Sequence, residues 1–195
     1  MAPPGRLLDI GCGAGEFMEL ATAAGFQTEG IEISEASVAI CRRRGLNVRL
    51  GNLITENLDQ SYDLITLWDV LPHLRDPAAF LARSRDLLTD RGYIFAKIPL
   101  FGALSVNLSN GTPKLAGLLI GAPSHIHYFN WASLTKVLLR VGLQWEIVAG
   151  GSARSSARGG PLKRRMARYA AGIVRWISGD RNAYFVAWPK SRTCA

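Results

Sequence analysis

Short apolar runs alternate along this chain with stretches in which apolar residues return at every third or fourth position. Arg6–Ile10 is such a run, followed at once by turn residues, and it predicts a strand buried on both faces. Phe17, Leu20, Ala21 and Ala24 then recur at helical spacing, with Gly25 placed to stop the helix. The unit repeats: a strand over 28–33, a helix over 34–44 with Ser34 as N-cap, and a strand over 47–50. Tyr62–Trp68 and 93–98 read as further strands. Between them Asp76 and Pro77, an N-cap and a favoured first helical residue, open a helix over 77–88. After a long irregular stretch come a helix over 131–141 behind Asn130, a strand at Leu143–Ala149 and a last strand over 183–188.

Strands alternating with helices of about ten residues imply an α/β chain with a mostly parallel sheet covered by helices. In such sheets ligands sit beyond the carboxyl ends of the strands, near the point where strand order reverses. A length of 195 residues suits one domain with a real core and is short for two, so 1–195 is read as a single domain.

The first strand runs into "LLDIGCGAGEF", where Gly11, Gly13 and Gly15 strip the turn of side chains so that a ligand can approach the main chain at a helix start. The dinucleotide spacing G-x-G-x-x-G fails in both registers, because its last position falls on Glu16 or on Met18. Asp9 and Glu16 would also repel a pyrophosphate at short range. They suit a cation, and a ligand with an amine and a sulfonium and no phosphate is the natural candidate. Glu32 ends the second strand in "GIEIS", where a carboxylate accepts hydrogen bonds from both hydroxyls of a ribose.

Taken in order, "LLDIGCGAGEF", "GIEIS", "LITLWDVLPHL", "LLTDRGYIFAKIP" and "HIHYFNWASLTKVLLRVGL" resemble class I S-adenosylmethionine-dependent methyltransferases, in particular the group that includes quinone-biosynthesis O-methyltransferases. The resemblance covers roughly 7–150. It implies a Rossmann-like, doubly wound, mostly parallel sheet with an antiparallel last strand and helices on both faces. It also implies S-adenosyl-L-methionine as cofactor, held by Asp9, Gly11, Cys12, Gly13 and Gly15 at the turn, by Glu32 at the ribose and by Ile33 beside the adenine. Asn52, followed by Leu53, stands where the family commonly has an acid for the adenine amino group, and Trp68 and Asp69 match the contacts to the methionine amine.

Methyl transfer from a sulfonium is an in-line displacement with a neutral leaving group, so alignment supplies much of the acceleration and a base matters only for a hydroxyl acceptor. His73, His125 and His127 are the only histidines. His73, just after the fourth strand, is read either as a general base or as a histidine tying down its loop. His125 and His127 share a side of an extended segment, one expected to line the pocket and one to pack; no third ligand accompanies them, so no metal is expected. The fourth strand lacks the Asp/Asn-Pro-Pro-aromatic run of amino-directed nucleic-acid methyltransferases, and the chain carries no Pro-Cys nucleophile. A hydrophobic small-molecule or lipid-like acceptor, methylated at oxygen, is the expectation, with nucleic acid set aside.

Residues 99–127 make a long connection rich in Gly, Pro, Ser and Asn that also carries apolar residues, as lids do. The net charge of +8 sits at one end: residues 151–195 hold ten Lys or Arg against Asp180 alone. Within the insertion 151–182, Leu162, Met166, Tyr169, Ile173 and Trp176 keep helical spacing among basic residues. A basic amphipathic helix there packs on the domain or on the lid, touches a membrane surface through 161–177, or, as the least favoured reading, binds nucleic acid. No spanning segment or signal peptide is legible, and Cys12, Cys41 and Cys194 lack metal spacing, so a cytoplasmic, membrane-associated or free, reducing setting is expected. The first strand begins only a few residues into the sequence, whereas relatives usually carry helices before it. That leaves an alternative: a truncated, non-catalytic Rossmann-like domain that binds the nucleoside, a membrane or a protein partner. Oligomeric state is not legible.

Overall fold

A computed structural model of the chain describes residues 5–101, 125–149 and 182–190. In chain order it forms β1 (Arg6–Ile10), α1 (Glu16–Ala23), β2 (Gln27–Glu32), α2 (Glu35–Arg43), β3 (Val48–Leu50) and β4 (Tyr62–Trp68). A 3-10 turn (Leu71–His73), α3 (Pro77–Asp86), β5 (Leu88–Pro99), α4 (Trp131–Arg140), β6 (Leu143–Ala149) and β7 (Asn182–Pro189) follow. All seven strands join one sheet in the order β3-β2-β1-β4-β5-β7-β6, parallel except that β7 runs antiparallel to both β5 and β6. The expected Rossmann-like, mostly parallel sheet with an antiparallel last strand is therefore present.

The helix starts follow from their sequence. Ser34 and Asp76 each accept a main-chain N–H of the first turn, and Asn130 forms a reciprocal capping box with Ser133. The main core lies on the sheet face packed by α3 and α4, where Phe80, Leu81, Leu134 and Leu138 meet Leu8, Ile31, Ile65, Leu67 and Ile94. Burying each such side chain stabilises the fold by about 1.5–3 kcal/mol. On the opposite face α1 and α2 cover Cys12, Met18, Val38, Cys41 and Val48, and a second aromatic cluster spans β5 and β7.

Two expectations shift. α1 keeps only Ala21 of the stripe read from the sequence: Met18 is buried beside it, Leu20 is 50% exposed, and Phe17 leaves the core to meet Trp68. Room for Met18 comes from Gly30 on β2, where an added Cβ would stand 2.7 Å from the Met18 sulfur. β5 begins at Leu88 rather than at Tyr93, and α3 ends at Asp86, because Leu88 pairs with Tyr62 ahead of a register shift. The expected insertions at 99–127 and 151–182, including the 161–177 segment, lie almost wholly outside the described residues.

Candidate functional site

Strand order reverses between β1 and β4, and the segments following β1, β2 and β4 converge above that point. Gly11, Gly13 and Gly15 have φ values of 68°, 56° and 89°. At Gly11 a Cβ would strike the Val70 side chain at 2.7 Å, so the turn lies against the β4 connection. At Gly13 a Cβ would meet nothing within 4 Å, which leaves this main chain bare toward open space, as a close-fitting ligand requires.

Glu32 ties the site together. One carboxylate oxygen accepts the Gly13 N–H at 2.9 Å, and the other accepts the N–H groups of Ile33 and Ser34 at 2.8 and 2.9 Å. The amide that would cradle a phosphate at Gly13 is thus already given to a carboxylate, and the first turn of α1 carries Glu16 and Glu19. A negative charge held in the turn opposes an anion there. Glu16 itself does not face the ligand space. It and Glu19 lie near Arg44, at 4.0 and 3.7 Å, while Arg44 donates to the Ala14 carbonyl and clamps the turn from outside. The repelling acids are Glu32 and, below the turn, Asp9.

Asp9 is fully buried, with one oxygen accepting from the Thr66 hydroxyl at 2.6 Å and the other without a partner. Burial pushes its carboxyl up to about 7, the Thr66 bond pulls it down, and the Glu32 charge pushes it up again. An acid stranded in this way lowers the potential beneath the turn and is relieved by a nearby cation. Cys12 is buried between Asp9 and α2, and its thiol is pushed strongly up by the same burial and by the Asp9 charge, so it packs rather than reacts.

At the end of β4, Asp69 has φ 57°, a rare conformation for a residue with a side chain, held by its N–H to the Lys97 carbonyl at 3.0 Å and by an ion pair to the Lys97 ammonium. Trp68 stacks obliquely between Phe17 and Phe95, at 4.7 and 5.3 Å between ring centres. On the other flank Ile33 is 75% exposed and available to a flat apolar ring. The Asn52 side-chain oxygen already accepts the Ile54 N–H at 3.0 Å, with one lone pair left. Leu53 is turned into the main core at 1% exposure, so only its main chain can meet a ligand.

The three histidines separate. Ile126 and His127 donate their N–H groups to the Pro72 carbonyl, pinning this segment onto the 3-10 turn. His125 then lies 4.9 Å from His73, ring to ring, and beside Phe101 and Tyr128, whereas His127 approaches the Arg75 carbonyl and Phe129. The shared side expected for His125 and His127 is lost because the segment bends at Ile126 instead of running as a strand. Thr66 and Lys97 escaped the sequence reading, although each is a polar residue inside an apolar strand, which is the signal that marks them.

An orphaned acceptor beneath the turn, an open cradle at Gly13, an acid bridging that cradle and an exposed apolar residue beside it fit a cationic nucleoside without phosphate. A family model described as "Methyltransferase domain" matches residues 2–147. The ubiquinone biosynthesis O-methyltransferase of Bordetella avium is 33% identical over 155 residues, 71% of this chain and 62% of that protein. Its Bordetella bronchiseptica counterpart is 35% identical over 99 residues, 46% and 41% of the two chains. The chain thus spans less than two thirds of the length of these curated relatives. Among solved structures, a SAM-dependent methyltransferase from Archaeoglobus fulgidus superposes with TM-score 0.61 at 21% identity, covering 94% of this chain and 86% of that one. The plantazolicin methyltransferase BpumL, solved with a pentazolic desmethylPZN analog and SAH, gives 0.71 at 17% identity, covering 95% and 77%. With the turn, the Glu32 bridge and the family match agreeing, this chain belongs to the class I S-adenosylmethionine-dependent methyltransferases.

Proposed function

We propose that this protein transfers a methyl group from S-adenosyl-L-methionine to a hydroxyl of a hydrophobic small molecule, with 1–195 acting as one domain. The observation that carries the reading is the Glu32 carboxylate fixed by three main-chain N–H groups across the turn, since the oxygen that accepts from Gly13 keeps one site for a ribose hydroxyl. In this reading Asp69 accepts the methionine amine, Asp9 supplies negative potential beneath it, Ile33 covers one face of the adenine and Asn52 offers its remaining lone pair to the adenine amino group. When bound, the cofactor supplies a methyl group made electrophilic by a positive sulfur.

His73 and His125, with Phe101 and Tyr128, form an aromatic-lined group after the carboxyl ends of β4 and β5. His73 takes the proton of the acceptor hydroxyl, and the aromatic rings hold a flat, apolar acceptor in line. The names of the two Bordetella relatives, ubiquinone biosynthesis O-methyltransferases, support oxygen as the acceptor atom and a phenolic ring carrying a lipid chain as the acceptor class. A lipid-like acceptor is drawn from a membrane surface, with the basic sequence 151–195 attracted to that surface.

Calorimetry with S-adenosylhomocysteine tests the cofactor half. The wild-type chain binds it, and Glu32→Ala loses at least tenfold in affinity, because charge-assisted hydrogen bonds are worth about 1.5–3 kcal/mol each. Absence of binding to the wild-type chain sinks the reading. For the acceptor half, an alkylated catechol is offered with the methyl donor, and the product is read by mass spectrometry. His73→Ala lowers turnover about a hundredfold or more with cofactor affinity unchanged.

A further inference from the structure

The opposite edge of the sheet carries a second polar site, remote from the glycine turn. Arg6, Gln27, Glu29, Arg49, Gln60 and Tyr62 are among the residues lining an open cleft of about 210 Å³ at the amino ends of β1, β2 and β4 and beside β3. The register places three of them on one sheet face: Glu29 pairs with Leu8, Arg49 pairs with Ile31, and Arg6 lies two residues before Leu8. The β3–β4 connection contains no helix that would cover this edge.

Glu29 is buried at 5% exposure, a placement that is costly for a carboxylate unless both oxygens are satisfied. Here both are: Arg49 Nε donates to one at 2.5 Å and the Tyr62 hydroxyl donates to the other at 2.7 Å. The acid therefore fixes a guanidinium and a phenol ring in place and has little capacity left for a ligand. Arg49 spends only Nε on it, and its terminal nitrogens have no partner among the described residues. The Arg6 guanidinium lies 5.5 Å over the Tyr62 ring and forms no ion pair among the described residues. Within the lining, two pre-positioned guanidinium groups stand against one spent carboxylate, with Glu56 outside it acting on Arg49 by charge alone and the side-chain amides of Gln27 and Gln60 beside them, and together they make a cleft that selects anions.

We infer that this cleft binds a compact, hydrophilic anion, a small molecule bearing phosphate or carboxylate groups, independently of the cofactor site. A cavity of about 150 Å³ holds a molecule the size of benzene, so the volume admits an anionic group with a short organic part. Tyr62 is the only aromatic or aliphatic side chain in the lining, so the ligand is polar. β1 and β3 flank β2, which sets the two arginine strands about 10 Å apart, a span that one oxyanion or a short dianion bridges.

Inorganic phosphate and citrate are titrated separately into the full chain at constant ionic strength, balanced with sodium chloride, and followed by thermal melts and calorimetry. A saturable rise in melting temperature with either anion is expected, and which of the two acts identifies phosphate or carboxylate as the recognised group. Arg6→Gln leaves the Glu29, Arg49 and Tyr62 bonds intact, and Gln60→Glu puts a negative charge at the cleft. Each lowers the anion affinity at least tenfold while the unliganded melting temperature stays within a few degrees of wild type. A response to phosphate and citrate no larger than to chloride overturns the inference, as does undiminished anion affinity in either variant.

Discussion

Asp9 and Glu32 sit at the carboxyl ends of neighbouring strands and meet opposite fates. Glu32 is spanned by main-chain donors, whereas Asp9 keeps one buried oxygen with no donor at all. Burial raises the Asp9 carboxyl to about 7, against 3.8 for the unperturbed group. With a folded value above the unfolded one, its contribution to stability is fully present below pH 3.8 and is lost as pH rises through about 7. Each pKa unit corresponds to about 1.36 kcal/mol, so the unliganded protein carries a handicap of a few kcal/mol at pH 8. Asp9→Asn removes it. Chemical denaturation at pH 5 and pH 8 is expected to show the variant more stable than wild type at pH 8, with most of that advantage gone at pH 5. An advantage equal at both values would show that Asp9 does not titrate in this window. Glu32 was legible because a lone acid closing an apolar strand is a local signal. Asp9 was legible as a residue but not as an orphan, because its partner Thr66 lies 57 positions away and meets it only through the β1–β4 register.

Elements were read best where one segment's own pattern decides them. β1 and β6 carry the expected bounds, and the caps at Ser34, Asp76 and Asn130 form as their side chains dictate. α1 shows where such reading stops. Its buried face depends on what β2 offers, and β2 offers Gly30, over which Met18 and Cys12 both settle. The Asp69–Lys97 pair depends likewise on β4 and β5 lying side by side, a fact of topology rather than of spacing. A Cβ at Gly30 would stand 2.7 Å from the Met18 sulfur and 2.8 Å from the Cys12 sulfur. The methionine can yield, but Cys12 is short and belongs to the turn itself. Gly30→Ala is therefore expected to destabilise by about 1–3 kcal/mol in urea unfolding and to weaken S-adenosylhomocysteine binding. Loss of stability with unaltered binding would show that the turn absorbs the displacement.

At the scale of the molecule, charge is divided along the chain more sharply than along the fold. Residues 1–150 carry 13 basic against 14 acidic side chains, and residues 151–195 carry ten against one. Among the described residues, the charges that shape the cofactor site, Asp9, Glu32, Asp69 and Lys97, all belong to the first group. No helix among the described residues is long and apolar enough to cross a membrane. Each Lys or Arg held near an anionic leaflet contributes about 1 kcal/mol, and salt screens that attraction over about 10 Å at 0.1 M. In the proposed function, a surplus of this size, set among Leu162, Met166, Tyr169, Ile173 and Trp176 in sequence, attracts the protein to an anionic lipid surface. The protein is expected to sediment with phosphatidylserine vesicles at low salt, to be released by high salt, and to remain in the supernatant with uncharged phosphatidylcholine vesicles. Reversing Arg164, Arg165 and Arg168 to Glu abolishes sedimentation while S-adenosylhomocysteine affinity holds, since the acids and turn that bind it lie in another part of the sequence. Equal recovery in the supernatant with and without anionic vesicles would remove the membrane from the reading and leave a freely diffusing acceptor.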